Sequence, residues 1–328
     1  MRRDIVVVAA SRGALPVLKT LVEGLARDLE LVMLVVLHIG RHRSILPELL
    51  SKWGCFPAHH PQHGEAIQHG RIYVAPPDRH MVVRGDTVCL LETAPENFCR
   101  PAADPLFRSA SAQYKERVVG IVMSGELDDG AAGLAAIEAR GGYRIVQDPD
   151  DCEAPSMPRS AIAAAGADAI VGQDGLANAL RAAVNGAARQ KESIMSNLTD
   201  LDREERIGDS GVAEPRQLDA IADRSALTCP TCHGVLWRLR DDRPLRYRCH
   251  TGHAFSALSL DAANAQETAD AIWGALRAVH ERIIFAQERQ QWARRVGNHT
   301  DVAIEQSRID ENEKLADLLR AAAGTRMS

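Results

Sequence analysis

Ser11, His38 and the pair Asp128-Asp129 are the residues whose types and placement could do chemistry in this chain. Ser11 follows the apolar run Ile5–Ala10, His38 follows the run 31–37, and the aspartates close a short loop after the run 118–123. Continuous runs rich in β-branched residues mark strands buried on both faces of a parallel sheet. In open parallel sheets ligands bind beyond the carboxyl ends of the strands. A hydroxyl, an imidazole and carboxylates would therefore meet on one sheet edge. Acyl transfer needs these types: a serine hydroxyl is a weak nucleophile without a base, and a carboxylate must hold that base in the right tautomer. Ser11 lies between a strand and a helix with Gly13 two residues on, so N–H groups at the helix start are the candidate oxyanion hole. Each residue alone has a plainer role: Ser11 as a helix cap, His38 as a hydrogen-bonded strand end, Asp129 as a turn residue before Gly130. Their joint occurrence argues for catalysis. At this level the choice between Asp128 and Asp129 stays open.

A second constellation lies far downstream. Cys229-Pro-Thr-Cys232 and Cys249-His-Thr-Gly-His253 bracket 16 residues, a spacing that fits a closed tetrahedral structural zinc site. The expected ligands are Cys229, Cys232, Cys249 and His253. His250 follows Cys249 too closely to chelate easily with it, and His233 is a weaker candidate. A redox Cys-x-x-Cys is the alternative, but no βαβ unit surrounds it and the second pair would go unexplained. About 35 residues hold too little core, so a metal would supply the folding free energy. The other four cysteines (Cys55, Cys89, Cys99, Cys152) read as small buried hydrophobes.

The elements that must position these groups follow from the patterning. Residues 1–185 alternate short strands (5–10, 31–37, 71–75, 80–84, 87–92, 118–123, 143–147, 169–171) with helices (14–27, 44–53, 105–115, 131–140, 158–165). That alternation predicts an α/β domain with a doubly wound, mostly parallel sheet, and Gly85-Asp86 marks a hairpin within it. Residues 186–226 are rich in Asp, Glu, Arg and Ser without an apolar stripe and read as a polar, partly disordered linker. A small zinc-binding module, 227–260, follows. Residues 261–328 carry stripes at helical spacing (Ile272, Leu276, Val279, Ile283, Ala286; then Val302, Ile309, Ala316, Leu319) around Gly297-Asn298, which predicts a helical hairpin able to join a partner chain.

The N-terminal residues resemble the catalytic domain of CheB-type chemotaxis protein-glutamate methylesterases over about 4–180. The resemblance rests on Ala-Ala-Ser-Arg-Gly-Ala around Ser11, Leu-His-Ile around His38 and Ile-Tyr-Val-Ala-Pro-Pro-Asp-Arg-His at 72–80. It rests also on Arg-Pro-Ala-Ala-Asp-Pro-Leu-Phe at 100–107, Ser-Gly-Glu-Leu-Asp-Asp-Gly-Ala-Ala-Gly at 124–133 and Met-Pro-Arg at 157–159. It implies a triad of Ser11, His38 and Asp129, since the family's acid directly precedes the glycine matched by Gly130. It implies hydrolysis of glutamate methyl esters on chemoreceptors and deamidation of glutamine, with no cofactor for catalysis. Ala9 and Ala14 stand where the family has glycine, and Glu126 and Leu127 stand where it usually has Met and Gly. With Ile5–Ala10 read as the first catalytic strand, the family's receiver domain is not expected ahead of it. Regulation is therefore expected from a partner in trans or from the C-terminal half.

Composition narrows the partners. A formal net charge of −5 gives no global attraction to nucleic acid, and the cluster Arg41, His42, Arg43 reads as solvated surface. Without a signal segment or a run of ~18 apolar residues, a cytoplasmic protein is expected. The alternatives are a non-catalytic adaptor binding a signalling partner and a serine hydrolase acting on another ester.

Overall fold

The computed structural model describes residues 2–38, 44–186 and 195–324; Arg41, His42 and Arg43 lie outside the described residues. The first part of the chain folds as β1 (Ile5–Ala10), α1 (Ala14–Glu23), β2 (Val32–Leu37), α2 (Leu46–Trp53), β3 (Ala58–His59), β4 (Glu65–Ala66), β5 (Arg71–Val74), β6 (His80–Arg84) and β7 (Thr87–Leu91). It continues as α3 (Ala103–Tyr114), β8 (Val118–Val122), α4 (Ala131–Ala139), β9 (Tyr143–Gln147), α5 (Ser156–Ala165), β10 (Ala169–Val171) and α6 (Leu176–Asn185). Seven of these strands form one sheet in the order β10-β9-β8-β1-β2-β5-β3, with every pairing parallel. β4, β7 and β6 make a small antiparallel sheet whose β6–β7 hairpin turns at Gly85-Asp86, as the sequence predicts.

Alternate residues of β1 face opposite layers. Val6, Val8 and Ala10 pack with Leu18 and Leu21 of α1, Leu50 of α2 and Leu180 of α6. Ile5, Val7 and Ala9 pack with Phe107 of α3, Leu134 of α4 and Ala161 of α5. Each fully buried aliphatic side chain contributes about 1.5–3 kcal/mol, which is why the strand reads as one apolar run. α6 has no counterpart in the sequence reading, although Leu176, Leu180 and Val184 are its buried stripe.

The stretch 186–226, read as a linker, instead holds α7 (Met195–Ser210), α8 (Pro215–Ile221) and most of β11 (Ala222–Thr228). Ile207, Leu218 and Ile221 pack there with Trp237 and Leu239. The sparse apolar residues suffice because Glu204 is itself buried against arginines. β11 joins β12 (Val235–Asp242), β13 (Leu245–Cys249) and β14 (Ala254–Ser256) in a four-stranded antiparallel sheet.

Residues up to Leu260 form one compact unit, and residues from Asp261 onward form a second. α9 (Ala257–Arg295) starts in the first. Within the second, α9 and α10 (His299–Gly324) pack through Leu276, Val279 and Ala316, with Ile283 and Leu319 alongside. The turn falls at Gly297 (φ 73°), as expected for a hairpin. No helix among the described residues is long and apolar enough to cross a membrane.

Candidate active site

The register of the central strands brings the first two residues together. Ala10 of β1 pairs with Leu37 of β2, so Ser11 and His38 are the next residues on adjacent parallel strands. The His38 N–H donates to the Ala10 carbonyl at 3.1 Å. On the other flank the Ser11 N–H donates to the Ser124 carbonyl just beyond β8, also at 3.1 Å. Ser11 is not the helix cap: Gly13 is, with φ 75° and no side-chain cap. The cap role weighed for Ser11 is therefore absent, and its hydroxyl is committed to no partner among the described residues. A side chain on Gly13 would meet Glu153 Cβ at 2.5 Å and Ser124 Oγ at 2.8 Å besides having to adopt a left-handed backbone. Gly125 is needed for close approach as well, since a Cβ there would come 2.0 Å from Met157 Sδ and 2.7 Å from Ser11 Cβ.

The loop after β8 separates the two aspartates. Asp129 Oδ2 lies 2.8 Å from His38 Nε2. The same oxygen accepts from the Ala103 N–H at 2.6 Å, and Oδ1 accepts from the Asp104 N–H at 3.2 Å. The carboxylate thus sits on the N-terminus of α3, where unpaired N–H groups favour an anion. Asp128 turns away and accepts from Ser256 Oγ at 2.7 Å. Burial pushes the Asp128 carboxyl up to about 6, with the Asp129 charge adding to it. Asp129 is equally hidden from water. Burial would raise its pKa, but the His38 bond, with the Ala103 and Asp104 amides, holds it below the ordinary value. Asp104, beside it, is pushed well up, first by burial and then by the Asp129 charge.

For His38, burial alone would lower the pKa; the Asp129 bond, with Cys99 next to the ring, overcomes this and raises it to about 10. Asp129 occupies Nε2, which leaves Nδ1 as the nitrogen for a reacting partner. No hydrogen bond joins Ser11 to His38 among the described residues; such contacts often close only when substrate binds. The Arg12 and Gly13 N–H groups, between Ser11 and α1, likewise have no acceptor among the described residues. Glu126 is ion-paired with Arg12 at 3.2 Å at the surface, and Arg12 also reaches Glu153 at 3.2 Å.

Sequence reasoning missed Asn97, Asp104 and Cys99 around this site, and Ser256 and Ser259 from far downstream. Asn97 and Phe98 both have positive φ (49° and 62°). Two consecutive non-glycine residues in that conformation persist only where the surroundings over-determine them. Asp104 lies within the motif at 100–107, which gave the one signal available.

The four expected metal ligands come together. The donor atoms of Cys229, Cys232, Cys249 and His253 all lie within 4.8 Å of one another. Cys232 Sγ is 3.7 Å from Cys249 Sγ, and Cys249 Sγ is 3.5 Å from His253 Nδ1. Tetrahedral zinc with Zn–S of ~2.3 Å and Zn–N of ~2.0 Å separates its ligands by roughly 3.5–3.8 Å, so the donor set fits. Backbone bonds shape both halves: His233 N–H to the Cys229 carbonyl at 2.8 Å and Gly252 N–H to the Cys249 carbonyl at 3.1 Å. His250 and His233 stay outside the cluster.

The family model for CheB methylesterase matches residues 6–180, more than half of the chain. This chain belongs to the CheB methylesterase family. A putative protein-glutamate methylesterase/protein-glutamine glutaminase of Leptospira interrogans is 32% identical over 179 residues, covering 54% of this chain and 93% of that relative. The protein-glutamate methylesterase/protein-glutamine glutaminase 2 of Caulobacter vibrioides is 39% identical over 178 residues, covering 52% of this chain and 51% of that relative. The chain therefore matches about half of the Caulobacter protein's length. The crystal structure of the Thermotoga maritima CheB methylesterase catalytic domain shares the fold, with a TM-score of 0.51 at 24% identity over 55% of this chain and 98% of that one. All these matches cover little more than the first half of the chain; the Cys/His sheet lies beyond the family match.

Proposed function

We propose that the protein is a protein-glutamate methylesterase, and also a glutamine deamidase, using Ser11, His38 and Asp129 as its triad. The observation that carries this reading is the 2.8 Å pairing of His38 with a buried carboxylate, on the strand next to Ser11. Ser11 Oγ attacks the side-chain ester carbonyl and its proton passes to His38 Nδ1. The Arg12 and Gly13 N–H groups receive the developing oxyanion. His38 returns the proton to the departing methoxide, which leaves as methanol. A water then gives its proton to His38 while attacking the acyl-enzyme, and His38 passes that proton to Ser11 Oγ as the glutamate leaves. Asp129 stays ionised throughout and holds the ring. Relatives are named for glutamate methyl esters, so a methylated chemoreceptor is the substrate proposed here.

The Cys229, Cys232, Cys249 and His253 cluster would hold a structural zinc ion, which would take no part in the chemistry. The full chain is expected to contain one zinc, and Cys249→Ser to contain none; a metal-free wild type, folded as described, would reject that site.

The test of the reaction is methanol release from a methylated receptor preparation by wild type, Ser11→Ala and His38→Ala. Loss of release in both variants with the fold intact supports the hydrolase. Undiminished release from Ser11→Ala refutes the triad. A wild type that binds the receptor without releasing methanol points instead to the adaptor.

A further inference from the structure

Residues far downstream of the family match reach into the candidate active site. β14 runs beside the loop that carries Asn97: the Asn97 N–H donates to the Ala254 carbonyl at 2.9 Å. Asn97 Oδ1 accepts from the Ser256 N–H and from Ser259 Oγ, each at 2.9 Å. Its amide Nδ2 then donates to Asp104 Oδ2 at 3.2 Å and, more weakly, to Asp129 Oδ1 at 3.5 Å. Ser256 Oγ donates to Asp128, the neighbour of Asp129 in the chain. Phe255 packs at a tilt against Phe98, the second left-handed residue of that loop, with ring centroids 4.9 Å apart. Behind these contacts lies a buried charge network. Glu96 is bonded by Arg108 of α3 at 2.7 Å and by Arg248 of β13 at 2.8 Å, and Glu204 is bonded by Arg246.

The Cys/His cluster lies at the start of β14. Cys249 ends β13, and His253 immediately precedes Ala254. β14 has only three residues, and the small core beneath it consists of Cys229, Leu236, Cys249, Phe255 and Leu260, two of which are ligands. β14 is held by its pairing with β13 (Arg246–Ser256, Tyr247–Phe255, Arg248–Ala254) and by this small core, and ligation at both ends of the turn joining the two strands would fix that pairing.

We propose that Asn97 is a positioning residue for Asp129 and that the metal-binding sheet holds it in place through Ser256 and Ser259, so that hydrolysis depends on metal occupancy more than 100 residues away in sequence. An amide with its oxygen fixed by two donors can present both N–H groups only one way. It thereby keeps one carboxylate oxygen of Asp129 engaged and leaves the other for His38. This inference rests on the catalytic role proposed for Asp129, but the contacts themselves can be tested apart from it.

The experiment uses full-length protein, zinc-loaded and chelator-treated, beside Ser259→Ala and Asn97→Ala. Removing zinc is expected to speed amide hydrogen exchange at Asn97, Ala103 and Asp104 while the parallel sheet stays protected, and to lower kcat with KM unchanged. Ser259→Ala loses one bond to Asn97 and is expected to lower kcat about three- to tenfold, with zinc content and KM unchanged. The pH–rate midpoint in both variants is expected to move down toward 6.5 as the His38–Asp129 bond loosens. Unaltered exchange at 97–104 after zinc removal, or a wild-type kcat and pH profile in Ser259→Ala, overturns the proposal. Should Asn97→Ala fail to fold, Ser259→Ala decides alone. Hydrogen exchange does not depend on turnover. A protein whose Ser11→Ala variant stays active would thus lose the triad reading, while exchange still judges this coupling.

Discussion

Replacing Asp129 with asparagine is the sharpest test of the catalytic geometry. In the wild type Oδ2 accepts from two donors, His38 Nε2 at 2.8 Å and the Ala103 N–H at 2.6 Å, and Oδ1 accepts from the Asp104 N–H at 3.2 Å. An asparagine offers one oxygen and one NH2. With its oxygen toward Asp104, the NH2 confronts the Ala103 N–H, and it can bond His38 only if Nε2 gives up its proton. The proton then sits on Nδ1, the nitrogen that must accept from Ser11. A base in the wrong tautomer costs about 10⁴ in kcat in serine hydrolases. The displaced Ala103 N–H adds about 1–3 kcal/mol of lost stability, offset in part because Asp104 no longer faces a buried charge. Asp128→Asn is the control. It weakens only the Ser256 bond at 2.7 Å, so less than a tenfold change is expected. Methanol release would be measured for both variants at saturating substrate, with circular dichroism confirming the fold. An Asp129→Asn enzyme within tenfold of wild type, or an Asp128→Asn enzyme down a thousandfold, would refute the assignment.

Other perturbations follow from the same structure. Because the His38 pKa is raised to about 10 and the base must be neutral, kcat/KM is expected to climb with pH with a midpoint well above the ordinary 6.5. The stability contributed by protonated His38 is full below pH 6.5 and is lost as pH rises through about 10. A pH–rate midpoint at or below 6.5 contradicts both. Gly125→Ala places a methyl 2.0 Å from Met157 Sδ and 2.7 Å from Ser11 Cβ. It is expected to cost about 1–3 kcal/mol in a denaturant titration and to lower kcat by displacing Ser11; unchanged stability and activity would refute that packing. Glu96→Gln leaves Arg108 buried without its ion-pair partner and Arg248 with only the more distant Glu204, at 3.7 Å. A loss of about 3–5 kcal/mol is expected, seen as a large fall in thermal midpoint, whereas a fall of a degree or less would mean the network contributes little.

Much of the catalytic half was legible because its signals are local. β1, β2 and β8 are buried on both faces, so each reads as one apolar run, and the polar residue ending each run is conspicuous. The Cys/His cluster was legible for a similar reason, since its donors come in two pairs of short spacing. α7 and α8 were not, because their burial depends on charge compensation. Glu204 looks like a linker residue until Arg246 and Arg248 are seen against it.

The sequence alone therefore determined the strand ends, the chemical types placed there and the paired spacing of the Cys/His cluster, all carried by neighbours in the chain. Strand-end spacing left two adjacent aspartates open, the family resemblance favoured Asp129, and only the tertiary structure shows where each one points. Asp129 points to His38 and the start of α3, whereas Asp128 points to Ser256. It also decided that a serine 128 positions away touches the same loop. Such contacts depend on how separate sheets dock, and a residue's partner across a docking surface leaves no periodicity in the chain that carries it.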